Sequence, residues 1–236
     1  NVDKAAKLVH DAIVNNQKIA TIGDCDQDGF FASINWRWVL EHMGVKEIEQ
    51  KFNTRLEGHT VQPVDLLNIA IDGNSLVIVN DTGSSPEDAK TFEMIKHGAK
   101  RIEDLEFFRE NLELITGYDS LSKHLKRELK KKLTELINKY EDEGLDFSDL
   151  LEAEITTGET YKSKTGKVHK RYMKLGEFEP LTKFVQGFPD LKIIVCDHHT
   201  ASIEGIKYFR EKEDVIMVNP QWVRKGLEDT FISEME

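Results

Sequence analysis

The 236-residue sequence has few cysteines and no long hydrophobic run. Its two cysteines, Cys25 and Cys196, are too few for a disulfide-stabilised scaffold and are typical of a protein in a reducing, intracellular compartment, which we expect to be the cytoplasm. No stretch approaches the roughly 18 apolar residues that a membrane-spanning helix needs, so the sequence predicts no membrane partner. The first residues also lack the pattern of a secretion signal.

Acidic residues outnumber basic ones, with 43 Asp and Glu residues against 32 Lys and Arg residues, and the formal net charge is -11. This balance argues against broad electrostatic adhesion to nucleic acid, because phosphate binding is driven by clustered Lys and Arg. A local basic groove stays compatible with it. So does an acidic metal site, since carboxylates that bind divalent cations count as negative even when the loaded site is nearly neutral.

Five short apolar segments, each followed by polar or small residues, predict the strands of a sheet. Between the first two, Phe30, Ile34 and Trp38 recur at helical spacing and predict a helix. The alternation predicts an α/β fold with a doubly wound, mainly parallel five-stranded sheet. Ligands of such sheets bind beyond the carboxyl ends of the strands. The segments are residues 18–24, 47–53, 75–81, 192–199 and 214–220.

Residues 87–189 do not continue this pattern, and we interpret them as a largely helical, charged insertion. Residues 1–86 and 190–236 then form the core domain. Leucines recurring between residues 121 and 140 predict a packed helix with a solvated basic face. The alternative is that this insertion binds a protein partner or nucleic acid.

Within the insertion, residues 159–175 carry a Thr-Gly turn flanked by Tyr161 and Tyr172, which predicts a β-hairpin. Interleaved lysine and tyrosine side chains are suited to contacting the backbone and stacking the bases of a single strand. The alternative is an exposed, solvated hairpin. The candidate substrate-binding residues here are Lys164, Lys167, Lys170 and Arg171.

Three aspartates, Asp24, Asp26 and Asp28, lie at alternate positions directly after the first predicted strand. On an extended backbone they would point to one side, where unpaired carboxylates would repel one another. A divalent cation removes that repulsion. The same alternation would turn Cys25 and Cys196 away from their neighbouring aspartates, which favours inert, buried thiols.

Two further strands end in candidate ligands. One is followed by Asp81, and the other by Asp197, His198 and His199. In a parallel sheet these ends converge on one crevice, and the mixture of carboxylate oxygen and imidazole nitrogen suits manganese, with magnesium or zinc as alternatives. Each segment taken alone is also compatible with a helix cap or a turn.

The three segments, in this order, resemble the three motifs of the DHH phosphoesterases, and within them the RecJ-like single-strand-specific exonucleases. They are GDCDQDG, VNDTGSS and CDHH. The VNP segment at residues 218–220 resembles the stretch that follows the third motif, and FNTRLEG at residues 52–58 is more weakly similar. The resemblance covers roughly residues 15–85 and 190–222.

This resemblance implies hydrolysis of single-stranded DNA from an end, in the 5′ to 3′ direction, by water and two divalent cations, Mn²⁺ being favoured and Mg²⁺ the alternative. Arg55 is our candidate for a phosphate clamp, because a guanidinium fits two phosphate oxygens. His199 is implied to contact the substrate. The implied metal ligands are Asp24, Asp26, Asp28, Asp81, Asp197 and His198, and the implied catalytic residues are Asp26, Asp81, His198 and His199.

The sequence also departs from the family. Some relatives have a histidine ahead of the first aspartates, where this chain has Ala20 and Ile22. The last metal-binding aspartate and the second domain of the family are not seen, so we expect either a piece of a longer enzyme or a site completed by other means. Two further functions stay open: a hydrolase of short oligonucleotides, cyclic dinucleotides or pyrophosphate, and a non-catalytic replication or repair scaffold.

Overall fold

The computed structural model describes residues 1–143, 147–163, 165, 167–199, 208–210 and 212–220. The chain divides into two compact units, one formed by Asn1–Glu93 with Asp190–Glu236 and the other by Met94–Pro189. The second unit coincides with the predicted insertion except for residues 87–93. Across the described part of the chain, no helix has both the length and the apolar character that crossing a membrane demands.

Helices and strands alternate through residues 2–97, after which come three helices, a hairpin, one more helix and the last two strands. The helices are α1 (Val2–Val14), α2 (Gln27–His42), α3 (Pro63–Ile71), α4 (Pro86–His97), α5 (Ile102–Glu110), α6 (Lys123–Glu143), α7 (Phe147–Glu152) and α8 (Glu179–Gln186). The strands are β1 (Ile19–Gly23), β2 (Ile48–Phe52), β3 (Leu76–Asn80), β4 (Glu154–Lys162), β5 (Val168–Lys174), β6 (Lys192–Cys196) and β7 (Val215–Val218).

The first unit has a sheet in which, among the described residues, five strands run parallel in the order β2, β1, β3, β6, β7. This confirms the predicted α/β fold and its five strands. β1 and β3 are buried along their whole length, as expected for strands covered by helices on both faces. β2 lies on one side of β1, and β3, β6 and β7 follow on the other side. The direction in which successive strands are added to the sheet therefore reverses between β1 and β3.

The core of the first unit lies between this sheet and the helices that cover it. Leu40 of α2, Ile78 of β3 and Ile194 of β6 are fully buried together with the apolar face of α1. α2 is confirmed, but the side chains of Phe30, Ile34 and Trp38 that predicted it are 40 to 60% exposed. The buried face of α2 instead carries the small residues Gly29 and Ser33, together with Leu40.

The second unit contains the predicted helix and the predicted hairpin. On α6 the leucine face is buried, including Leu129 and Leu133, which confirms a packed amphipathic helix. β4 and β5 pair antiparallel and are largely exposed. The hairpin is therefore a surface feature of this unit.

Candidate metal centre

The strand register brings three aspartates to one edge of the sheet. Gly23 of β1 pairs with Asn80 of β3, which pairs with Cys196 of β6. Each of these residues is followed directly by an aspartate, namely Asp24, Asp81 and Asp197. This edge holds the carboxyl ends of parallel strands at the switch in strand order, which is where doubly wound sheets bind ligands.

Backbone hydrogen bonds continue the ladder one residue past the strands. The amide of Asp24 donates to the carbonyl of Asn80 over 3.1 Å, and the amide of Asp81 donates to the carbonyl of Cys196 over 2.8 Å. Asp81 has a φ of 61°, a left-handed conformation that is uncommon for residues other than glycine but tolerated by aspartate. The side chains of Asp24 and Asp81 are thus placed by the sheet itself.

Asp28 lies in the first turn of α2 and not on an extended backbone, so the expectation of three alternating aspartates on one side of a strand is wrong. Asp26 keeps an extended backbone, with φ of -99° and ψ of -174°, as the residue directly before α2. The carboxylate of Asp26 caps α2 by accepting hydrogen bonds from the amides of Asp28, over 3.0 Å, and Gly29, over 3.1 Å. A helix cap satisfies amides that would otherwise lack a partner, and this allows the chain to turn into α2 directly after Asp26. Asp28 is exposed in the first turn of α2 and lines a cavity of about 310 Å³ with Asp81 and His198.

Three overlapping groups of side chains bring metal-binding atoms within 4.8 Å of one another, and together we call them the acidic cluster. Asp24 belongs to the first two groups and Asp81 to the last two. Within the described residues, neither Asp28 nor Asp197 belongs to such a group. The groups are Asp24, Cys25 and His59; Asp24, Asp26 and Asp81; and Asp81, His198 and His199.

Buried carboxylate oxygens of the acidic cluster fit a cation. Oδ1 of Asp24 and Oδ2 of Asp81 are buried and have no hydrogen-bond partner among the described residues. Asp24 is fully buried and Asp81 is 5% exposed. A buried carboxylate oxygen without a partner is costly, and a bound cation removes that cost, so the acidic cluster could hold a metal ion.

The loop that follows β6 orients both histidines. His198 Nε2 lies 2.9 Å from Asp81 Oδ1. Asp197 Oδ1 accepts hydrogen bonds from the amides of His198, over 2.7 Å, and His199, over 3.0 Å, and lies 2.8 Å from His199 Nδ1. Asn219, in the VNP segment, donates to the carbonyl of His199 over 2.8 Å. Asp197 therefore holds the loop and the His199 ring.

Burial and mutual repulsion shift the protonation of the acidic cluster. Burial, followed by the neighbouring Asp26 carboxylate, raises the pKa of Asp81 to about 6. Hydrogen bonding from the Gly29 amide leads the effects that lower the pKa of Asp26. Burial alone would lower the pKa of His199, but the hydrogen bond and charge of Asp197 outweigh it and raise that pKa. The cluster thus carries charges that the protein alone does not fully compensate.

His59 joins the acidic cluster although sequence reasoning did not select it. Its Nδ1 lies 2.5 Å from Oδ2 of Asp24, and that hydrogen bond and charge raise the pKa of His59. The residue lies in the loop between β2 and α3, 35 positions from Asp24 in the chain. In the sequence, only its position directly after the FNTRLEG segment could have drawn attention to this histidine. Its contact with Asp24 depends on how the loop packs.

The two cysteines differ in their surroundings. Cys25 does not turn away from the site, because its Sγ approaches both Asp24 and His59, so that part of the sequence prediction is wrong. The turn from β1 into α2 replaces the strand alternation on which the prediction relied. Cys196 packs against the core, and burial raises the pKa of its thiol to about 11, which agrees with an inert side chain.

Arg55 lies beside the acidic cluster. It lines a cavity of about 370 Å³ together with Asp24, Asp26 and three phenylalanines, which are Phe30, Phe31 and Phe52. An arginine and aromatic rings therefore border the carboxylates that would hold the ion.

The predicted basic residues of the hairpin belong to the second unit. Lys167, Lys170 and Arg171 are exposed there, and Arg171 forms an ion pair with Glu159 over 3.1 Å. Lys164 lies outside the described residues. The acidic cluster is built entirely from residues of the first unit.

No protein-family model, curated protein or solved structure matches this chain.

Proposed function

We propose that this chain is a metal-dependent phosphodiesterase that hydrolyses single-stranded DNA from an end, similar to the RecJ-like DHH enzymes. The observation that carries the proposal is the acidic cluster, in which buried carboxylate oxygens of Asp24 and Asp81 lack a partner at the switch in strand order. Such crevices bind ligands, and carboxylates with unmet charge favour a cation there.

Two divalent cations are proposed, and Asp24, Asp26, Asp81 and His198 are the residues that would hold them. Mixed carboxylate and imidazole donors favour Mn²⁺, with Mg²⁺ as the alternative. When bound, such ions lower the pKa of water and stabilise charge on the phosphate oxygens. Residues beside the acidic cluster would then position the substrate.

The cavity that Arg55 lines supports a nucleotide as substrate. A guanidinium pairs with two phosphate oxygens, and the exposed rings of Phe30 and Phe31 offer faces on which bases can stack. Both features lie next to Asp24 and Asp26, so a nucleotide seated there would present its phosphate to the carboxylates. The chain as a whole is acidic, and Arg55 supplies positive charge in this cavity, where a phosphate would bind.

His199 is proposed to donate a hydrogen bond to the phosphate. Asp197 accepts from Nδ1 and holds the ring, while the raised pKa of His199 keeps its other nitrogen, Nε2, protonated to a higher pH than in an ordinary histidine. His198 lies closer to Asp81 than His199 does, at 2.9 Å against 3.8 Å, which suits His198 for metal binding and His199 for the substrate.

A second candidate function is hydrolysis of short oligonucleotides, cyclic dinucleotides or pyrophosphate. The cavity beside Arg55, of about 370 Å³, favours it because this volume accommodates a single small ligand. The non-catalytic scaffold, with a protein partner bound by the insertion, is the outcome to expect if metal binds without turnover.

The test is a nuclease assay on end-labelled single-stranded DNA with Mn²⁺, Mg²⁺ or a chelator, run in parallel with circular single strands and a cyclic dinucleotide. We expect Mn²⁺-dependent release of mononucleotides from linear strands and none from circles. Asp81→Asn should lower the rate by more than about a hundredfold, because removing a residue that only supports a metal ligand already costs 10–100-fold. Asp11→Asn, at an exposed site on α1, is the control and should retain full activity.

Each other result has a defined meaning. Cleavage that persists in chelator, or equally in Asp81→Asn, refutes the proposed chemistry. Turnover confined to the cyclic dinucleotide supports the second candidate. Tight Mn²⁺ binding with no turnover of any substrate supports the scaffold.

A further inference from the structure

We propose that His59 is a metal ligand that binds through Nδ1 at the position formed by Asp24 and Asp26. The proposal rests on the metal centre of the proposed function and adds a donor to it. His59 Nδ1 lies 2.5 Å from Asp24 Oδ2, and Asp24 belongs both to the group with His59 and to the group with Asp26 and Asp81. The acidic cluster is thus a continuous series that begins at His59 and ends at His198 and His199.

This arrangement gives each end of the cluster an imidazole. The Asp81 end has His198 and His199, whereas the Asp24 end would otherwise offer carboxylates and the thiol of Cys25. β1 itself supplies no histidine, because Ala20 and Ile22 occupy the positions before Asp24. In the part of the chain that the structure describes, His59 is therefore the nitrogen donor at this end.

The loop that carries His59 is fixed from several sides. The hydroxyl of Thr82, the residue after Asp81, donates to the carbonyl of His59. Asn53 donates to the carbonyl of Thr60 over 2.9 Å, and the amide of Val61 donates to Asp88 Oδ1 over 2.7 Å. Asn53, Thr82 and Asp88 are all buried. The backbone of this loop is thus tied to the strand end that positions the acidic cluster, which preorganises the ring for binding.

The electrostatics of the ring agree with this position. His59 Nδ1 contacts the carboxylate of Asp24, which shares a metal-binding group with Asp26 and Asp81. The ring therefore lies in the field of the three carboxylates that would surround the ion. A cation and a proton compete for the same nitrogen there.

The competing role for His59 is to position Asp24 without touching the ion, and the two roles place the ring proton differently. A ligand uses the lone pair of Nδ1 and carries its proton on Nε2. A positioning residue keeps the proton on Nδ1, donates it to Asp24 and leaves a lone pair on Nε2. The side chain is 69% exposed, so Nε2 can be probed from solution.

The first measurement is Mn²⁺ binding, followed by the EPR signal of the unbound ion. His59→Asn leaves an amide near the position of Nδ1 that can still donate to Asp24 but is a weak ligand, and we expect it to weaken one binding event by at least about tenfold. His10→Asn is the matched control, because His10 is 68% exposed and also lies beside an aspartate, Asp11, yet is in none of the metal-binding groups of the described residues. It should bind as the wild type does. Wild-type affinity in His59→Asn overturns the proposal.

The second measurement is acylation by diethyl pyrocarbonate at pH 8, read for each histidine by peptide mass spectrometry. A ligand bound through Nδ1 has a protonated Nε2, so saturating Mn²⁺ should slow modification of His59 by about fivefold or more and leave His10 unchanged. If His59 reacts at the same rate with Mn²⁺ bound, it only positions Asp24 and the proposal is wrong.

The failure of this inference is distinguishable from failure of the proposed function. If the wild type binds Mn²⁺ and cleaves DNA, Asp81→Asn loses both, and His59→Asn keeps both, then the inference about His59 alone is refuted. If the wild type binds no Mn²⁺, both are refuted.

Discussion

Gly29 lies directly against the backbone of Asp24, so closely that a Cβ added at Gly29 would be 2.5 Å from the Asp24 nitrogen. No real side chain tolerates that approach without a shift of the backbone. The first turn of α2 therefore packs onto the residue that follows β1 only because position 29 has no side chain. The same turn places the Asp26 cap beside Asp24.

Gly29→Ala should lower the free energy of unfolding and also weaken Mn²⁺ binding. The inserted methyl group must push Asp24 or the start of α2 aside, and overpacking of this kind costs about 1–3 kcal/mol. Urea unfolding and Mn²⁺ titration measure the two effects. Gly44→Ala is the control, because a Cβ at that position meets nothing within 4 Å, and its φ of 93° introduces backbone strain alone. We expect it to lose stability and keep Mn²⁺ affinity.

Asp81→Asn should stabilise the metal-free protein at pH 7. The folded pKa of Asp81, about 6, lies above the ordinary value of 3.8, so the folded state favours the protonated carboxyl. Folding therefore pays no penalty for Asp81 below about pH 4, and the penalty grows as pH rises to about 6 and is constant above it. A shift of this size corresponds to about 3 kcal/mol, which we reduce to about 1–2 kcal/mol because the pKa of Asp26 moves the other way and solvent screens the site.

The measurement is urea unfolding in chelator at pH 4 and pH 7. Asp104→Asn is the opposing control, since Asp104 is also buried but accepts hydrogen bonds from the amides of Lys100 and Arg101 and from the Arg101 side chain. Losing these bonds should cost about 1–3 kcal/mol. An Asp81→Asn protein that is less stable than the wild type at pH 7 without metal would contradict the account of the acidic cluster.

Arg55→Gln should raise the KM for single-stranded DNA by about tenfold and leave Mn²⁺ affinity unchanged. The guanidinium lines the cavity beside Asp24 and Asp26 and is proposed to bind the phosphate, and a charged hydrogen bond is worth about 1.5–3 kcal/mol. Arg37→Gln is the control, because Arg37 pairs with Glu41 on the exposed face of α2. Equal KM values for the two variants would remove Arg55 from the substrate site.

The strands could be recognised in the sequence because buried parallel strands need continuous apolar segments, and those of β1, β3 and β6 are interrupted by few polar residues. Once these strands are parallel and neighbouring, the residues after Gly23 and Asn80 must meet at one edge. Asp24, Asp81 and His198 were predictable as a group for that reason.

Other features depended on contacts that the local pattern does not contain. Asp26 has an extended backbone, but its carboxylate caps α2 because the amides at the start of that helix would otherwise lack a partner. The exposure of Phe30 and Trp38 follows from Gly29 and Ser33, whose small size allows α2 to approach the sheet with the opposite face.

The sequence by itself determined the parallel sheet and the acidic strand ends, since apolar runs and alternation are properties of neighbouring residues. Only the tertiary structure decided that His59 joins Asp24, because their contact closes a loop of 35 positions and depends on Thr82, Asn53 and Asp88 holding the backbone in place. Contacts made over such separations depend on packing, which no local pattern encodes.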